Sequence, residues 1–105
     1  MINLYAKFDL INRVCFDGEL HSIYVGFKAH RGKDAVFIDS PGNCLIELNG
    51  KYKKDENGLE AMLLHEMVHF WMSLNRKPKE EHDDCFKEKL AEVQKIWYLY
   101  KLKSL

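Results

Sequence analysis

The sequence predicts an α+β fold, and three observations predict it. Apolar residues recur at helical spacing over residues 2 to 16, give way to short alternating runs broken by turn residues between Leu20 and Leu48, and return to helical spacing after Asn57. The expected order is an N-terminal helix, a small three-stranded sheet and two further helices. At 105 residues and 47% hydrophobic composition the chain suffices for one core and is too short for a second, so a single domain over residues 1–105 is expected.

Leu4, Phe8, Ile11 and Val14 form the stripe of the first helix, widened by Leu10 and Cys15, and Asp17-Gly18 ends it with a turn. From Leu20 to Lys28 the apolar side is Ile23, Val25 and Phe27, the pattern of a half-buried strand. Arg31-Gly32-Lys33-Asp34 is a polar turn before a second strand, Ala35 to Asp39. Ser40-Pro41-Gly42 breaks the chain again before a third strand, Cys44 to Leu48. Asn57 with Glu60 three residues later has the form of a capping box and opens a helix that runs to about Leu74. That helix is apolar almost all round, which predicts a central position between other layers. A last helix is expected from Pro78 or Lys79 to about Lys101, with Phe86, Leu90, Val93 and Trp97 as its buried stripe.

Charge and composition exclude several classes. Lys+Arg and Asp+Glu both total 16, so charge gives no support to DNA association, and Lys51-Tyr52-Lys53-Lys54 and Arg76-Lys77 read as solvated loops. No stretch approaches the roughly 20 apolar residues of a membrane span, and the N-terminal residues lack a secretory pattern, so a soluble cytoplasmic protein is expected. Three widely spaced cysteines, Cys15, Cys44 and Cys85, form neither a disulfide framework nor a zinc ribbon and read as reduced thiols.

The chemistry is concentrated in His65-Glu66-Met67-Val68-His69. Positions four apart on a helix stack one above the other, so His65 and His69 can reach one ion, and Glu66 sits beside them, displaced by about 100°. This is the H-E-x-x-H arrangement, in which zinc lowers the pKa of its bound water to about 7 and the carboxylate acts as general base. Two histidines and a glutamate on an otherwise apolar helix are costly without partners, which argues against a chance solvated face. The fold is therefore expected to be a minimal zincin-like core. A catalytic zinc needs three protein ligands and an open position. His82 heads the stripe continued by Phe86 and Leu90 and is the third candidate, with Glu80, Glu81 and Cys85 as alternatives. Met72 and Asn75 stand where a metzincin would need glycine and histidine. His21 and His30 are isolated, and Tyr24, His21 and Arg31 are candidates for stabilising an oxyanion.

With these residues in view, the chain resembles the SprT-like metalloprotease domain over nearly its whole length. The resemblance is carried by Asn12 to Leu20, by Leu45-Ile46-Glu47-Leu48-Asn49 and by Leu63-Leu64-His65-Glu66-Met67-Val68-His69. It implies zinc held by His65, His69 and His82, Glu66 as the base, and a protein or peptide substrate added as a strand along a sheet edge, here expected to be Cys44 to Leu48. Asp83-Asp84 follow His82 where many members have glycine. The rival reading is a zinc-containing module that binds protein or nucleic acid without cutting it.

Overall fold

The structure, a computed structural model, describes residues 2–28, 32–40, 42–75 and 84–104. Helix α1 spans Leu4–Cys15, strands β1, β2 and β3 span Tyr24–Phe27, Ala35–Ile38 and Leu45–Leu48, and helices α2 and α3 span Glu56–Leu74 and Asp84–Lys103. This is the expected α+β order, with one addition: a 3-10 helix at Gly50–Lys54 between β3 and α2.

Asn3 caps α1, its side chain accepting the Ala6 N–H at 3.1 Å. Leu4, Phe8, Ile11 and Cys15 are buried, and so is Asn12 on the same side. The Asn12 amide donates to the Leu20 carbonyl at 2.7 Å and accepts the Leu20 N–H at 3.1 Å. Its own carbonyl accepts from Phe16 and Gly18. A polar residue on the apolar face thus closes the turn through Asp17 and Gly18, both in the left-handed region at φ 52° and 73°.

The sheet order is β1-β3-β2, with β1 parallel and β2 antiparallel to β3. The registers place Val25 and Phe37 on either side of Ile46. Val25, Ile46 and Leu48 are buried on the core face, with Phe27, Ala35 and Phe37 packed beside them. The expectation of a substrate-accepting edge along Cys44 to Leu48 is therefore corrected. Leu45–Leu48 is the central strand and its backbone is paired on both sides; the edges are β1 and β2. All three strands are four residues long with similar apolar content, and the pattern does not distinguish a central strand from an edge.

The N-terminus of α2 also differs from expectation. Asp55, not Asn57, is the cap, accepting the Gly58 N–H at 3.0 Å, because the 3-10 helix delivers the chain two residues earlier. Glu60 is consequently free of a capping role and turns inward. Its carboxylate, 4% exposed, accepts from Lys7 of α1 at 2.7 Å, from Lys101 of α3 at 2.7 Å and from the Trp97 indole at 3.1 Å. Burial alone would raise the Glu60 pKa, but the hydrogen bonds from Lys101, Lys7 and Trp97 overcome it and hold the carboxyl below its usual range. Lys7 is also desolvated, and its pairing with Glu56 and Glu60 nevertheless holds its ammonium above the usual lysine value.

Helix α2 is central, as its all-round apolar surface predicts. It packs against β2 and β3 on one side and against α3 and α1 on others, burying Leu59, Leu63, Leu64, Met67, Val68 and Phe70. Leu74, the last residue of the helix, is exposed. On α3 the buried residues are Phe86, Val93 and Trp97, with Leu90 half-buried; its expected start at Pro78 or Lys79 lies outside the described residues. Among the described residues, no helix is long and apolar enough to cross a membrane.

Candidate metal centre

Helix α2 carries His65, Glu66 and His69 through its middle, where neighbours on several sides fix the backbone. One donor atom from each lies within 4.8 Å of the others, close enough to share one metal ion. The imidazoles meet edge to face with centroids 5.1 Å apart. His65 Nε2 lies 3.9 Å from a Glu66 carboxylate oxygen. The two histidines are half-buried and Glu66 is buried. Histidine nitrogens with an adjacent carboxylate suit a borderline cation such as zinc, so the donor chemistry fits the metal expected from the motif.

Phe86, in the first turn of α3, packs against both imidazoles, with centroids 5.0 Å from His65 and 4.4 Å from His69. It is 2% exposed and forms an apolar wall behind the pair. The sequence marks Phe86 as a core residue; its contact with both histidines follows from how α3 crosses α2 and has no counterpart in spacing along the chain.

On the sheet side, Phe70 follows His69 and its ring lies 5.5 Å from Phe37 of β2. One turn past His69, the Ser73 hydroxyl donates to Asp39 at 2.6 Å and ties the end of β2 to α2. This tie escaped the sequence reading, since only the helical offset of Ser73 from His69 hints at it. Glu66, about 100° round the helix from His65, lies between the histidine side and the sheet side. The donor group thus sits on α2 between the side that packs on β2 and the side that meets Phe86 of α3.

The other expected residues are distributed as follows. His82, Glu80 and Glu81, and with them the third-ligand question, lie outside the described residues, as do His30 and Arg31. Cys85 is half-buried beside Phe86 and does not belong to the donor group. His21 is exposed and stands edge-on to Phe70 at 5.1 Å. Tyr24 lies on β1, at the opposite side of the sheet from β2, with its ring folded over Gly26. Cys15, Cys44 and Cys85 are free thiols; burial pushes Cys15 up to about 12, and burial with the neighbouring Asp39 raises Cys44.

A separate apolar hollow of about 380 Å³ lies between α2 and α3, lined by Ala61, Leu64, Trp97, Tyr98 and Leu102 and floored by Glu60. It includes none of the histidines.

Among curated proteins none matches this chain. A family model does, over residues 4–103, so that the match runs from the first residue of α1 to the last of α3 and takes in the histidine pair. The chain belongs to the SprT-like family.

Proposed function

We propose that this chain is a single-domain, zinc-dependent metallopeptidase that hydrolyses peptide bonds of a protein substrate in the cytoplasm. The observation that carries the reading is the convergence of His65, His69 and Glu66 on one side of a central, well-packed helix. His65 and His69 would hold the ion, with His82 as the third ligand. Bound zinc supplies Lewis acidity and lowers the pKa of water to about 7.

The remaining steps belong to the chain itself. Glu66, within 3.9 Å of the His65 ring nitrogen, is placed to take the proton from the attacking water and to return it to the leaving amine. Its burial excludes bulk water from that carboxylate, and the wall made by Phe86 limits the freedom of both imidazoles. The substrate would add as a strand to β2, the sheet edge that packs on α2.

The test is the zinc content of wild-type protein beside His65→Ala and His82→Ala variants, with cleavage of an unfolded protein measured on the same samples. One zinc per chain, lost in both variants together with cleavage, is the expected result. Zinc bound without cleavage would select the non-catalytic binding module instead.

A further inference from the structure

The chain has no net charge, yet the sheet gathers lysines at one end. The Lys28 N–H donates to the Leu48 carbonyl at 2.9 Å, and Asn49 bonds to the backbone carbonyls of Asp34 at 2.8 Å and Lys33 at 3.2 Å. The ends of β1 and β3 and the start of β2 therefore meet, and the 3-10 helix adds Lys51, Lys53 and Lys54 to Lys28 and Lys33. All five are exposed. Four described acidic residues lie nearby: Asp34 pairs with Lys51, Asp55 caps α2, Glu56 pairs with Lys7, and Glu47 is buried in β3. Among the described residues, Lys28, Lys33, Lys53 and Lys54 have no carboxylate partner, and Lys53 instead lies over the Phe27 ring at 5.5 Å.

Strand β2 links this lysine end to the helix that carries the histidines: it follows Lys33 and Asp34, packs on α2 and ends at Ile38, next to the Asp39 that accepts from Ser73. We propose that the lysine end is a docking site for an acidic segment of the protein substrate, adjoining the stretch laid along β2. The inference names the substrate class for the site and rests on the peptidase reading above. An acidic peptide fits better than a nucleic acid on two grounds. The aromatic neighbours of these lysines among the described residues, Tyr52 and Phe27, are half-buried and leave no platform on which bases would stack. A neutral chain also lacks the long-range field that draws proteins to polynucleotides.

The experiment measures fluorescence anisotropy of one labelled peptide carrying either a glutamate-rich or a serine-rich flank, on metal-loaded Glu66→Gln protein so that nothing is cut. The glutamate flank is expected to tighten binding about tenfold at low salt and to lose that advantage near 0.5 M salt, roughly. Adding Lys33→Ala, Lys53→Ala and Lys54→Ala should bring both peptides to the same affinity, with the melting temperature unchanged because these side chains are exposed. Equal binding of the two peptides, or an advantage that survives the three substitutions, would overturn the proposal. Displacement by duplex DNA at concentrations far below those of the acidic peptide would also overturn it and assign the lysines to nucleic acid. Binding is read without turnover, so a preference for the acidic flank in a protein whose wild type cuts nothing would sink the peptidase reading and leave the docking site standing.

Discussion

The ring of Phe86 lies 4.4 Å from the imidazole of His69, with the two planes inclined by 33°. An apolar wall at this distance restricts imidazole rotation without competing for a metal, so Phe86 is expected to set metal affinity through geometry. Phe86→Leu should keep the fold and weaken zinc binding about tenfold, measured by competition with a chromophoric chelator. Phe86→Ala leaves a cavity and should cost about 3 to 5 kcal/mol of stability as well. Unchanged zinc affinity in a folded Phe86→Leu protein would remove the positioning role.

Glu66 and the histidines should separate cleanly by readout. Glu66→Gln is expected to retain one zinc per chain and lose at least about a hundredfold in turnover, because the amide preserves shape but accepts no proton. Wild-type turnover in that variant would show that the base lies elsewhere.

Glu60 is expected to matter for stability and not for chemistry. Glu60→Ala leaves Lys7 with Glu56 as its remaining carboxylate, takes the carboxylate from the part-exposed Lys101 and leaves the Trp97 indole without its acceptor. Breaking this part-buried cluster should cost about 1 to 3 kcal/mol in urea unfolding. A change below about 1 kcal/mol would mean that water or Glu56 replaces the lost carboxylate.

Stability and metal binding are expected to fail at different pH. The Glu60 carboxyl is held below its usual range, so its contribution is present above about pH 4.3 and is lost as pH falls through the lower folded value. Lys7 is held above the usual lysine value, so its contribution persists up to about pH 10.4 and is lost above that. Histidine ligands must be neutral, and zinc should leave below about pH 6. Acidification should therefore release zinc before the helices melt. A single transition in which zinc content and helical circular dichroism fall together would contradict this.

Much of the fold was legible because helix and strand periods differ sharply in this chain. The stripe from Leu4 to Ile11, the alternation at Val25 and the all-round apolar surface of α2 each correspond to a buried face in the structure. The histidine pair was legible for the same reason, since spacing along one helix is a local property. What escaped was tertiary. The place of β3 between its partners, the wall made by Phe86 and the inward turn of Glu60 depend on which elements meet, and Glu60's partners, 53, 37 and 41 positions away, leave no periodic trace of meeting. Sequence pattern likewise misplaced the cap of α2, because the intervening 3-10 helix is polar and reads as a loop.

The β1-β3-β2 order also constrains the sequence of events during synthesis. Neither β1 nor β2 has a partner until Leu45–Leu48 has emerged, so the first two strands wait unpaired while the chain between them is made. The helix bearing the histidines follows only eight residues after Leu48. Sheet closure and the arrival of that helix are thus nearly simultaneous, and a nascent chain has little time in which the strands are joined but His65, Glu66 and His69 are still missing.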